Sequence, residues 1–457
     1  MSTLSITVEL NGATRNLEVA PGDTLLSVLR REGLVSVRYG SDTGETGASA
    51  VLIDGRLVNT DCLLAAQAEG HVVTTIEAFN KPELDPVQAA FVATGAMQSG
   101  YTTPAMMLGT RALLEANPDP SVAEIRDMLS GILDRETAYV KPVEAIRRAA
   151  AILRGDTPEP FGPLVLTPLT DGKNPPSGRI GDAPPASPAV PRLIPSRDVP
   201  DMAVVGKPEI KVDAVKLVKG NPAFSDDFVE RGQLVAKVLR SPHAHARIVD
   251  IDDSAARALP GVHAVIHYKN VPRVKYASGG QSYPNPHPHD QVSFDNKVRH
   301  VGDRVAAVAA DTAEIATEAL RLIDVSYEVL PAVFDELEAM QPGAPVIHDE
   351  DDTTDIHDAE RNIVHHIGAQ RGDVKGALAT AAQVFEQTFR VHQVQQVPIE
   401  NHISVAWLDS DERLVVRTAT QVPFHARRML APLIGREIKD VRVIKPRIGG
   451  GFGAKQE

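Results

Sequence analysis

Cysteine is almost missing from these 457 residues: Cys62 stands alone, which excludes an internal disulfide and any zinc site built from several thiolates. Basic residues are also in deficit, with 47 Lys+Arg against 60 Asp+Glu and a net charge of -13. That balance argues against a duplex nucleic-acid binder, because phosphate contacts need a basic field. No apolar run approaches the roughly eighteen residues of a bilayer span, and the N-terminal MSTLSITVELNG lacks the cationic region of a signal peptide. The cytoplasm is the expected location. What is present is ordinary for a soluble globular protein, 43% hydrophobic and 23% charged, at a length that suggests about three domains.

Ser5 to Leu10 and Ala13 to Val19 alternate apolar and polar residues around Asn11-Gly12, the strongest short hairpin signal, so a β-hairpin opens the chain. Asp23 is placed to cap a helix through Leu25, Leu26, Val28 and Leu29 that Gly33 stops. From Asp85 to Leu153 the apolar period is helical, with Pro86 and Pro120 at helix starts and a break at Asn117-Pro118. Twelve of the 34 prolines fall between Pro158 and Pro200, a stretch with too few large apolar residues for a core, which reads as a stiff linker. Beyond it, strand-like runs such as Leu234 to Leu239 and Val305 to Ala309 alternate with helical ones such as Thr312 to Leu322. Gln383 to Val391, Ser404 to Leu408 and Leu414 to Thr418 read as antiparallel strands.

The loop from Tyr39 to Ser49, followed by Asp54-Gly55 and Cys62, resembles the loop around a plant-type 2Fe-2S cluster in the molybdenum hydroxylase family of xanthine dehydrogenases and aldehyde oxidoreductases. The segments from Gln98 to Pro104 and from Gly131 to Thr137 are similar to the family's second cluster-binding segments. The resemblance implies eight ligand positions, occupied here by Ser41, Thr46, Ser49, Cys62, Ser99, Thr102, Asp134 and Glu136. Seven of them carry oxygen, not sulfur, and iron sulfide needs soft, readily deprotonated thiolates. Neither cluster is expected in this chain, and no other metal is. The two domains are expected to persist as packing modules, with Cys62 a small buried hydrophobe.

The motifs at Arg240 to Ile248, Pro260 to Val262, Lys297 to Asp303 and Val325 to Pro331 follow the family's hammerhead domain in order. His243 and His245, one residue apart, would share a strand face but lack a third ligand, so they read as core or interface residues; His287 and His289 read as part of a proline-rich surface loop. Thr420-Gln421-Val422-Pro423-Phe424 and Gly449-Gly450-Gly451-Phe452-Gly453 resemble the opening of the molybdenum-binding domain. The resemblance implies that Gln421 donates to the apical oxo ligand and that Gln98 reaches the pterin. Gly450, Gly451, Phe452 and Gly453 would lie against the cofactor, successive glycines letting main-chain N–H groups approach an anion. Gln456 occupies the position of a substrate-contacting glutamate in purine-oxidising members, which puts a purine substrate in doubt.

The implied architecture is α+β and multidomain: a ferredoxin-like β-grasp over 1–80, a small helical bundle over 81–155, the linker over 156–205, an α/β hammerhead over 206–332 and the first part of a molybdopterin-binding domain over 333–457. In the family the general-base glutamate and most pterin contacts follow the glycine segment. The expectation is therefore a molybdenum–pterin cofactor shared with a second molybdenum-subunit polypeptide, with iron-sulfur and flavin carriers on separate subunits and a small-molecule substrate. A redox-neutral hydratase or transhydroxylase and a non-enzymatic scaffold are the competing readings.

Overall fold

The computed structural model describes residues 3–158, 209–278, 282, 284 and 286–456, so nearly all of the proline-rich linker lies outside the described residues. The chain divides into two units, Met1–Ala223 with Ile399–Asn401, and Phe224–Pro398 with His402–Glu457.

In the first unit the hairpin pairs β1 (Leu4–Leu10) with β2 (Ala13–Val19), and Asn11 and Gly12 take the positive φ of 52° and 81° that the tight turn requires. Alternation along β1 sends Ile6, Val8 and Leu10 inward against α1 (Leu25–Arg31). Thr24 caps that helix instead of Asp23, its hydroxyl accepting from Ser27 N at 3.2 Å. Asp23 is already engaged, accepting from Ala20 N at 3.0 Å and pairing with Arg31. With β3 (Ala50–Ile53), β4 (Arg56–Asn59) and β5 (Val72–Thr74) the sheet runs β2-β1-β5-β3-β4, and only β1 and β5 are parallel.

Four helices follow: α2 (Pro86–Thr94), α3 (Thr103–Ala116), α4 (Val122–Ser130) and α5 (Val140–Arg154). Asp85 with Gln88 and Ser121 with Glu124 form reciprocal caps on α2 and α4, so Pro120 stands one residue before the cap and not inside the helix. A short α6 (Ala214–Val218) belongs to the same unit, tied by Gln88 Nε2 donating to Val218 O at 3.2 Å.

The second unit opens with β6 (Val235–Arg240), β7 (Ala246–Asp252), α7 (Ser254–Ala258), β8 (Val262–His267), β9 (Lys275–Tyr276), β10 (Gln291–Val292), β11 (Lys297–Val298), β12 (Arg304–Ala310), α8 (Ala313–Arg321) and β13 (Asp324–Val329). Two three-stranded sheets, β11-β7-β13 and β6-β12-β8, share a core of Ile248, Val265, Val298 and Val308 with Ala316 and Ala319 of α8. His243 and His245 precede β7 in a turn made by Ser241-Pro242, where Ser241 Oγ accepts from His243 N at 3.0 Å. They therefore share no strand face. His243 packs edge-on against Tyr327 and His245 Nδ1 donates to Pro331 O at 2.6 Å. His287 and His289 stack at 4.3 Å, and no group of three metal-ligating side chains occurs among the described residues.

After α9 (Glu336–Ala339) and α10 (Val374–Thr380), β14 (Ser404–Leu408), β15 (Leu414–Thr418) and β16 (Val441–Ile444) form a sheet with α11 (Pro423–Leu433) beside β16. Gln383 to Val391, expected as a strand, takes no regular structure. Phe385, Phe389 and Val391 are 87%, 82% and 93% exposed, and α10 buries no residue. The alternating pattern is there, but among the described residues no neighbouring strand or apolar layer meets it, and a lone strand has no ladder to satisfy its backbone. No helix among the described residues is long and apolar enough to cross a membrane.

Candidate functional site

Thr420 and Gln421 sit between the end of β15 and the start of α11, and the glycine segment returns against them from β16. Gln421 N donates to Lys455 O at 2.6 Å, and the buried Thr420 hydroxyl donates to the same carbonyl at 3.3 Å while accepting from Val422 N at 3.0 Å. The carboxamide oxygen of Gln421 accepts from Gly453 N at 3.0 Å and Lys455 N at 3.3 Å. Two N–H donors identify that atom as oxygen, which turns the carboxamide NH2 the other way as a donor. Among the described residues that NH2 makes no hydrogen bond, and neither do the N–H groups of Gly450 and Gly451.

Each glycine here has its own reason. Gly450 and Gly453 stand at φ 91° and 96°, where side chains are strained. A Cβ on Gly450 would meet the Phe452 ring at 2.9 Å, and one on Gly451 would meet Gln421 Oε1 at 2.7 Å. Phe452 itself takes a positive φ of 53°, unusual for a bulky residue and held by the turn that Ala454 N closes onto Gly451 O at 2.8 Å. The glycines let the segment pack closely on Gln421 and Phe452, and its neutral donors and unshared N–H groups fit an anionic, oxo-bearing cofactor. Two contributors escaped sequence reasoning. His402 Nε2 donates to Ala454 O at 2.8 Å, and the Lys455 backbone both gives to and takes from Gln421. Backbone hydrogen bonding leaves no signature of residue type. Gln456 is exposed at the end of the segment, and Gln98 is exposed in the loop between α2 and α3 of the other unit.

The positions resembling cluster ligands are engaged with their own surroundings. Ser49 is buried, and its hydroxyl accepts from Thr60 N at 3.2 Å and Asp61 N at 3.4 Å. Ser41 Oγ accepts from Gly44 N at 3.1 Å and Thr46 Oγ1 from Ala48 N at 3.3 Å. Cys62 is exposed, not buried as expected, and desolvation together with the Asp61 carboxylate pushes its thiol up, away from the thiolate a soft metal needs. In the helical segment Glu136 Oε2 accepts from Ser99 N at 2.6 Å, which joins two of the expected ligand positions directly. Tyr101 N donates to Ser99 Oγ at 3.2 Å, and Asp134 takes the N–H groups of Glu136 at 3.2 Å and Thr137 at 3.0 Å; Thr102 is buried at the start of α3. Hard oxygen donors already satisfied by main-chain N–H groups do not fit an iron-sulfide cluster.

Three families match in chain order: a 2Fe-2S binding domain over residues 75–147, the a/b hammerhead domain of aldehyde oxidase and xanthine dehydrogenase over 219–331, and a molybdopterin cofactor-binding domain over 356–457. The chain belongs to the molybdenum hydroxylase family. Within the family it is 40% identical over 479 residues to a protein named probable hypoxanthine oxidase XdhD of Escherichia coli K12, an alignment covering 98% of this chain and 46% of that one. It is 30% identical to the aldehyde oxidoreductase of Megalodesulfovibrio gigas, again over 98% and 46%. The solved structure of the aldehyde oxidoreductase from Desulfovibrio gigas superposes with a TM-score of 0.81 at 26% identity, covering 99% of this chain and 47% of that one. The chain spans about half the length of the curated relatives it matches.

Proposed function

We propose that this chain is the part of a molybdopterin-dependent hydroxylase-type oxidoreductase that holds one face of the cofactor, and that it carries no iron-sulfur cluster. The orientation of Gln421 carries the reading. Its carboxamide oxygen is pinned by Gly453 N and Lys455 N, so its NH2 is left as a donor beside the glycine segment. When bound, the cofactor supplies two-electron and oxygen-transfer chemistry to a small-molecule substrate. The residues of this chain bind and orient it. Gln421 would donate from its carboxamide nitrogen to an oxo group of the cofactor, Gly450, Gly451, Phe452 and Gly453 would hold it through their main chain, and Gln98 is assigned to the pterin on the family resemblance alone. Gln456 faces the substrate. A neutral amide would suit this position because it can donate to an anionic oxygen without adding a proton that titrates.

The family resemblance puts the general-base glutamate after the glycine segment, in sequence equivalent to the other half of the relatives. We assign that half to a second molybdenum polypeptide. The exposed face of Phe385, Phe389 and Val391 supports completion by further polypeptide, since such alternation is the mark of a strand buried on one side. Oxygen side chains at seven of eight ligand positions support electron exit through iron-sulfur or flavin carriers on other subunits. They also favour a second reading, redox-neutral hydration or hydroxyl transfer, which needs no electron wire.

Anaerobic assays of the assembled enzyme on hypoxanthine and on an aldehyde, with and without an artificial acceptor, test both. Strict acceptor dependence with molybdenum and pterin present, and no iron bound to this chain, is the expected result. Turnover without acceptor selects the redox-neutral reading. About two irons and two sulfides per cluster on this chain would overturn the cluster assignment.

A further inference from the structure

Between α11 and the edge strand β16 runs a groove of about 280 Å³ ringed by Arg413, Arg427, Lys439, Arg442 and Lys445. No carboxylate lines it among the described residues, although the chain as a whole carries -13. Three of the cations are partly committed: Arg413 to Asp409 at 2.9 Å, Lys439 to Glu437 at 2.6 Å, and Arg427 Nε to Ile438 O at 2.8 Å. The side chains of Arg442 and Lys445 are exposed and make no hydrogen bond or ion pair among the described residues. The floor is apolar, from Val441 and Val443, and at the first turn of α11 the Phe424 ring is 74% exposed on the same groove. Neutralising this group with solvent alone leaves the cations and a large aromatic face unused at one place.

We propose that this groove binds a phosphorylated ligand bearing a planar ring, of the nucleoside diphosphate class, with Arg442 and Lys445 on the phosphates and Phe424 beneath the ring. Guanidinium and ammonium groups hold phosphate oxygens by charge-assisted hydrogen bonds, and an exposed aromatic face stacks on a base whatever its identity. The volume is close to the lower end for small-ligand sites, of about 300 Å³, which leaves the phosphates toward the open, cationic rim. The site is separate from the Gln421 cradle in its chemistry: it recognises charge and a ring, not an oxo group.

Calorimetric titration of the assembled enzyme with ADP, inorganic pyrophosphate and adenosine tests it. ADP is expected to bind once per chain and more tightly than either fragment, and to weaken as salt rises. Arg442→Glu with Lys445→Glu should weaken ADP by about thirtyfold or more, and the milder Arg442→Ala with Lys445→Ala by about tenfold, with unchanged melting temperature. Phe424→Ala should weaken ADP by about tenfold and leave pyrophosphate as it was. No ADP binding at millimolar concentration, pyrophosphate binding as tightly as ADP, or an ADP affinity indifferent to Phe424 would each overturn the proposal, the last two leaving a general anion patch.

Discussion

Two glycine-rich loops end in opposite conditions. The loop from Gly40 to Ser49 is closed: the Ser41 and Thr46 hydroxyls accept from its own main chain, that of Ser49 accepts from Thr60 N and Asp61 N, and Leu133 N donates to Thr46 O at 2.9 Å. The segment from Gly449 to Gly453 is open, with Gln421 turning a donor outward and the N–H groups of Gly450 and Gly451 unshared within the described residues. Glycine makes up three of ten residues in the first and four of five in the second, but the difference that matters is whether the neighbouring polar groups are spent on one another. A loop whose donors and acceptors pair internally is a packing module, whereas one that withholds them is built to meet something else.

The sharpest test of closure is Gly47→Ala. A Cβ there would lie 2.0 Å from Gly131 O, at a φ of 65°, so a loss of about 3 kcal/mol in urea unfolding is expected. A loss below about 1 kcal/mol would mean the two segments are not held together. Gln421→Ala is next. It should lower turnover per bound molybdenum by about a hundredfold, and cofactor content by much less. Equal losses in both would make Gln421 a fold residue and the open loop only another closed one.

Within the open segment, Gly451→Ala should cost more cofactor than Gly453→Ala. The first meets Gln421 Oε1 at 2.7 Å, while the second meets nothing within 4 Å and pays only the strain of φ 96°. A molybdenum content reduced by about tenfold against about threefold is the expected contrast. The smallest effect concerns Cys62. Its raised thiol pKa means less thiolate than a free cysteine at any pH below that pKa, so alkylation at pH 8 should be slower than for a model thiol despite exposure. Cys62→Ser should leave iron content unchanged. Alkylation faster than the model thiol would reveal an activated cysteine in a loop argued to be inert.

The hairpin, its helix and the four-helix segment were legible because each rests on local rules. Asn11-Gly12 specifies a turn, Pro86 marks a helix start and Pro120 comes within two residues of one, and alternation over Ser5 to Leu10 specifies a buried face. The errors were local choices settled by longer-range partners. Thr24 capped α1 because Asp23 was held by Ala20 N and Arg31, and His243 and His245 left the strand because Ser241-Pro242 makes a turn there. Gln383 to Val391 had the right pattern without the sheet to receive it.

Sequence alone determined which side chains each loop offers, since oxygen-bearing residues at seven of the eight positions that resemble cluster ligands, and glycine at 449–451 and 453, are facts of composition and order. The tertiary structure decided how those residues are spent. Only folding brings Gly453 N and Lys455 N to the Gln421 oxygen from more than thirty positions away. Only folding sets Glu136 on Ser99 N, across 37 positions. The reason is that side-chain type limits what a group can donate or accept, while long-range backbone approach selects which partner it meets and therefore which atom is left for a ligand.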